Sequence, residues 1–307
     1  MKHANNKKEF EVQAAGILDA RLLPDKDFDG LWESIILDPE IKNRILSQAI
    51  LNFSLRSLVQ RAALPLHGII LLTGAPGTGK TSLARGLAST VARSFNNPNF
   101  LFLEVEPHSL TSSALGKSQK AVTELLSSTV AEYAATRPVI VLLDEVETLA
   151  SDRSKLSLEA NPVDVHRTTD AVLAQLDHLA ASYPNLLFVA TSNFEQAIDQ
   201  AFVSRADLTV EIGKPSVEAC KAILDDTVQA LAEAFPRVKR IMSEPDFDRA
   251  ARLCQGLDGR KIRKLVAAAC AFDKETALDP SRLTAKDILH AVEHERSVAG
   301  LAKGATK

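Results

Sequence analysis

Residues 74–81 read Gly-Ala-Pro-Gly-Thr-Gly-Lys-Thr and match GxxxxGK[ST] at every fixed position. The preceding run, Ile69-Ile70-Leu71-Leu72-Thr73, reads as a buried strand, and Ser82 to Ala88 continues as a helix. Strand, glycine loop and helix start together form the setting of a phosphate-binding loop. Gly74, Pro76, Gly77, Thr78 and Gly79 shape a loop whose amides face the phosphates. Lys80 is expected to reach the β- and γ-phosphates, and the Thr81 hydroxyl to ligate Mg²⁺. Such a chain binds a nucleoside triphosphate, and what it does with the energy must come from its other residues.

The length of 307 residues suits one large or two medium domains, and 46% hydrophobic residues are ample for a core. A net charge of −3 offers no bulk attraction for nucleic acid or for an anionic membrane. Cys220, Cys254 and Cys270 form no CxxC pair and lie in helix-like sequence, as expected for buried thiols in a reducing cytoplasm. The stretch from Met1 to Phe10 is polar and lacks a signal core, and no run is apolar enough to span a bilayer.

Along the chain, residues 1–21 read as a short leader of weak pattern. A turn-rich stretch at Leu23-Pro24-Asp25 follows, then a helix with Asp38 as cap and Pro39 at its first position. Within 22–213, apolar runs at Ile69–Leu72, Phe100–Val105, Val139–Leu143, Leu186–Ala190 and Leu208–Ile212 alternate with helices near 79–93, 118–135 and 166–182. This is the pattern of an α/β domain with a parallel sheet covered by helices on both faces. After Gly213 only helices are expected, at 216–233, 246–255, 259–272 and 284–297, with Ser216 and Thr284 as caps. They make a small all-helical domain, 214–299, before a tail at 300–307.

Val139–Leu143 ends in Asp144-Glu145. A carboxylate at a strand end beside the phosphate loop can hold Mg²⁺ or its waters, a role given to Asp144. Glu145 is the candidate base for the attacking water. Nearby Glu147 and Asp152 read as ordinary turn acids. Asn193, after Ala190-Thr191-Ser192, is placed to orient that water, although Asn is also common in turns after strands. Arg205 and Arg260 are the candidates to contact a γ-phosphate; taken singly, each reads as a surface ion pair.

Phosphate loop, Asp-Glu strand, strand-end Asn, Arg-Ala-Asp segment and Gly-Arg helix start occur here in the order of AAA+ ATPases. Leu31-Trp32-Glu33-Ser34, Pro107-His108-Ser109-Leu110, Leu143 to Leu149, Ala201 to Asp207 and Gly256 to Leu265 resemble, more narrowly, the pachytene-checkpoint ATPases. That resemblance spans about residues 22–270. It implies a homohexameric ring with ATP and Mg²⁺ at the subunit interfaces. Arg205 would then be the finger reaching the neighbour's nucleotide, and Arg260 the sensor carried by the helical lid. It also implies a HORMA-domain protein as substrate, partly unfolded from a closed to an open state. Bacterial relatives accompany HORMA proteins and cyclic-nucleotide synthases in antiphage systems.

Two departures from the family pattern stand out. Eukaryotic members carry a substrate-binding domain where this sequence has about twenty residues, so a compact bacterial-type member is expected. The pore-loop tip, aligned at Ala114-Leu115-Gly116, has no aromatic residue; Leu115 is a smaller grip, or the segment is a plain connector. A second pore loop is expected between Arg153 and Arg167, with a solvated loop as the alternative. Among other classes, a nucleic-acid-handling or clamp-loading ring is disfavoured by the missing basic stripe. An unfoldase feeding a protease lacks a docking motif, and a nucleotide-gated scaffold is at odds with Glu145 and Arg205.

Overall fold

The computed structural model describes residues 14–96, 99–110, 117–152, 162–298 and 300, without the side chains of 162–164. These form two compact units: residues up to Gly74 with Lys80–Glu211, and Ala75–Gly79 with the residues from Ile212 onward. The tip of the phosphate loop is thus grouped with the helical unit rather than with the sheet that bears it.

The first unit is built on six strands: β1 (Ile17–Leu23), β2 (Ile69–Thr73), β3 (Phe100–Val105), β4 (Val139–Leu143), β5 (Leu186–Ser192) and β6 (Leu208–Glu211). Their order is β1-β3-β4-β5-β2-β6. β2 to β6 pair in parallel, and β1 runs antiparallel on the edge against β3, with Leu23 opposite Phe100. β2 through β5 are buried along their whole length, which explains their unbroken apolar runs. One face packs Leu71, Leu103, Val141 and Phe188 against helix Pro162–Ser182 and the helical stretch that opens at Lys117. On the other face, helices Lys26–Ser34, Pro39–Leu55 and Lys80–Arg93 complete the cover, with Phe28 edge-on to Phe102 at 4.9 Å.

The structure corrects several expectations. Residues 17–21, read as leader, belong to β1, so the sheet is mixed rather than wholly parallel. An unexpected helix, Lys26–Ser34, starts at Asp25, whose carboxylate accepts from the Asp27 and Phe28 amides. It crosses Lys80–Arg93 so closely that a Cβ on Gly86 would lie 2.5 Å from the Trp32 backbone nitrogen. The helix expected at 118–135 contains a π-helical turn, Leu125–Val130. The helix expected from 166 starts at Pro162, so 162–167 are helical and not loop.

The second unit contains helices Val217–Ala234, Pro245–Leu253, Gly259–Cys270, Lys274–Leu278 and Ala285–Val298, with a 3-10 stretch at Pro236–Ser243. Ser216 caps the first through the Ala219 amide. Thr284 and Asp287 bond reciprocally at the start of the last. Ile262, Leu265, Val266 and Ala269 form the buried face of Gly259–Cys270, as their spacing predicts.

Candidate nucleotide site

Parallel register brings the site together. Thr73 lies opposite Ser192, and Leu143 opposite Ala190. The residues that follow β2, β4 and β5 therefore emerge side by side at the carboxyl edge of the sheet, where α/β folds place their ligands. These residues are Gly74, Asp144 and Asn193.

Lys80 is 5% exposed, and its ammonium donates to the Gly74 carbonyl (2.7 Å) and to Asn193 Oδ1 (2.9 Å). Thr81 Oγ1 donates to Asp144 Oδ1 at 2.8 Å, and Thr191 donates to the same oxygen. Thr191 also accepts the Glu145 amide. Asn193 Nδ2 donates to Glu145 Oε1 at 3.1 Å, while its backbone amide donates to Glu147 Oε1. His108 Nε2 lies 3.6 Å from Glu145 Oε2. Glu145 itself has φ 51°, the left-handed region that a residue with a side chain rarely occupies. The turn after β4 thereby aims Asp144 and Glu145 differently, toward Thr81 and toward Asn193.

Lys80, Thr81, Asp144, Glu145 and Asn193, singled out from sequence, thus form one hydrogen-bonded cluster. Thr191, Glu147 and His108 belong to it as well. Glu147 reads in the sequence as a turn acid, although it follows Glu145 by two residues. Thr191 carries a recognisable signal, a hydroxyl one residue before the end of an apolar strand.

In the phosphate loop, Thr78 Oγ1 donates to the Ala75 carbonyl. Gly77 has φ 86°, and its carbonyl accepts the Arg260 amide at 3.2 Å. A Cβ there would stand 2.5 Å from Asp258 Oδ1, so both backbone angle and space call for glycine. Asp258 caps Gly259–Cys270 through the Lys261 amide, and the Arg260 side chain is exposed in that helix's first turn.

Arg205 lies apart from the cluster. Its guanidinium pairs with both oxygens of Asp177, at 2.9 and 2.8 Å. This ion pair holds the Asp177 carboxyl below the usual range of an aspartate. Asp207, two residues on, accepts the amides of His67, Gly68 and Ile69 at the head of β2. The pore-loop residues Ala114, Leu115 and Gly116 lie outside the described residues, as do residues 153–161 of the second candidate loop. His166 and Arg167 fall within helix Pro162–Ser182.

A parallel sheet whose carboxyl edge joins a phosphate loop to an Asp-Glu pair and an Asn defines a P-loop ATPase. The model of the ATPase family associated with various cellular activities, AAA, matches residues 70–214. CD-NTase-associated protein 6 of Pseudomonas aeruginosa is 58% identical over 94% of this chain and 92% of its own length. A pachytene checkpoint protein 2 homolog of Arabidopsis thaliana is 35% identical over 85% of this chain and 63% of its own. Among solved structures, C. elegans PCH-2 superposes with a TM-score of 0.74 at 28% identity, covering 94% of this chain and 78% of that one. A chain of the E. coli MS115-1 HORMA:CdnC:Trip13 complex shares the fold, with a TM-score of 0.71 at 18% identity over 91% of this chain and 95% of that one. The chain belongs to the AAA ATPases, in the family of pachytene checkpoint protein 2 and CD-NTase-associated protein 6, and it binds nucleotide and hydrolyses ATP. Among the described residues, no helix is long and apolar enough to cross a membrane.

Proposed function

We propose that this ATPase assembles into a homohexameric ring in the cytoplasm and uses ATP hydrolysis to remodel a HORMA-domain protein, converting it from a closed, partner-bound state to an open one. Its setting would be a bacterial antiphage system with a cyclic-nucleotide synthase. The observation that carries this reading is the 58% identity, over nearly the whole of both chains, with a protein named for its association with CD-NTases. The HORMA:CdnC:Trip13 assembly, similar in fold, points the same way.

The chemistry follows from the cluster. Lys80 exchanges its bond to Asn193 for the β- and γ-phosphate oxygens, guided by the amides of residues 77–79. Asn193 keeps its amide on Glu145 and so fixes the carboxylate that takes the proton from the attacking water. The Thr81 hydroxyl and Asp144 carboxylate, already in contact, offer the hard oxygen donors that suit Mg²⁺. Bound there with the triphosphate, Mg²⁺ would neutralise charge on the β- and γ-oxygens. Arg260 serves as sensor from a helical lid formed by residues 214–299, and Arg205 completes the site of the adjoining subunit.

A pull-down with the Glu145→Gln variant tests the reading. Loaded with ATP, it should retain a HORMA-domain protein encoded beside a cyclic-nucleotide synthase and release it when ADP replaces ATP. Equal capture in both nucleotide states, or none, would refute the assigned client.

A further inference from the structure

The contact between Asp177 and Arg205 has no part in the chemistry above. Arg205 follows the short helix Gln200–Val203, and Asp177 lies on helix Pro162–Ser182. Asp177 takes the Nε and Nη2 side of the guanidinium, and the Ala201 carbonyl accepts from Nη1 at 2.6 Å. A guanidinium has five N–H donors in a fixed plane. Three acceptors leave one N–H on Nη1 and one on Nη2, and no acceptor among the described residues takes them. This remaining pair suits two oxygens of a phosphate, as bidentate recognition requires. The side chain is 23% exposed, so it is held firmly yet remains reachable. Asp177 is itself anchored, with His67 Nε2 at 3.5 Å and Arg61 Nη2 at 3.9 Å from its Oδ1.

We propose that Asp177 is a positioning residue for Arg205, holding the guanidinium in one rotation so that its outer N–H pair is presented to the γ-phosphate of the neighbouring subunit. The inference rests on the reading of Arg205 as a finger acting in trans. An unanchored arginine would have to give up rotamer freedom each time a neighbour's nucleotide is engaged; here that ordering is complete before assembly. A lysine in place of Arg205 cannot bind a carboxylate and a phosphate in one plane.

Steady-state hydrolysis by the assembled protein, measured across ATP concentrations, tests the proposal. Asp177→Asn should lower kcat by about 10- to 100-fold, in line with misplacement of a catalytic group, and leave KM within about twofold. Asp177→Glu should recover part of the loss. In an Arg205→Ala background Asp177→Asn should cost nothing more, because the two residues act as one unit. Wild-type kcat in Asp177→Asn overturns the proposal. So does a raised kcat, which would make Asp177 a brake, or a further loss in the double variant. Loss of ring assembly together with activity would make Asp177 a scaffold residue and also overturns it. If Arg205→Ala alone leaves kcat unchanged, the finger reading fails. If Arg205→Ala abolishes turnover while Asp177→Asn does not, only the role of Asp177 fails.

Discussion

In the α/β unit, Lys80, Glu104, Thr191, Ser192 and Asp199 are buried, several of them at the carboxyl edge of the sheet; in the helical unit, Thr276 is the only buried polar residue among those described. The interior of the helical unit is instead filled by side chains such as Ile223, Phe247, Ile262 and Val292. Burying polar groups is costly unless they are partnered, and most of those in the α/β unit are bonded to adjoining side chains or to backbone. A network of that kind is organised for a charged ligand before the ligand arrives. Among its described residues the helical unit carries no comparable buried network, and it keeps Arg260 on its surface. Substitutions in the buried polar network of the first unit should therefore act chiefly on rate, and those in the apolar core of the second on stability.

The sharpest break would come at Glu145. Glu145→Gln should lower turnover by about 10²- to 10⁴-fold with nucleotide binding intact, as read by phosphate release and fluorescent-nucleotide titration. Wild-type turnover would move the base elsewhere. Phe247→Ala, in the fully buried core of the helical unit, should cost about 3–5 kcal/mol in a denaturant titration. A cost under about 1 kcal/mol would show that this core is not a packed one. Glu145→Gly sharpens the contrast, since the site holds Glu145 in a left-handed conformation. It should be about 1–3 kcal/mol more stable than Glu145→Gln and equally inactive. Equal stability of the two would mean that this backbone stores no strain.

The smallest effect concerns the thiols. Burial pushes Cys254 up to about 12 and Cys220 up to about 11. Both stay protonated at neutral pH and should resist alkylation in the native protein, while half-buried Cys270 reacts first. The folded pKa values lie above that of an unfolded thiol, so their contribution to stability is complete below about pH 9. It should diminish as pH rises from there toward 12. Rapid native labelling of Cys254 would show that the helical core opens readily.

What was legible in the sequence is what local pattern encodes. The phosphate loop, the Asp144-Glu145 strand end and the four longer α-helices after Gly213 announce themselves through spacing, whereas Lys274–Leu278 and the stretch Pro236–Ser243 do not. β1 does not, because Ile17–Leu23 mixes Asp19 and Arg21 with apolar residues and finds its partner only at Phe100–Val105. The helix Lys26–Ser34 was hidden because its cap lies beside Pro24 in what reads as a turn. Asp177 carries no signal at all: it acquires meaning from Arg205, 28 positions further on. Its neighbours on helix Pro162–Ser182 give no hint of that partner.

The carboxylate of Asp207 clasps three successive amides at the head of the strand that runs into the phosphate loop. Only Ala206 separates it from Arg205. In mechanical terms, the arginine proposed to reach a neighbouring subunit is bolted to the base of its own nucleotide cradle. A small shift of β2 on loading or emptying the cradle would carry Arg205 with it, so within the proposed ring the state of one site would reach the next through a lever a few residues long.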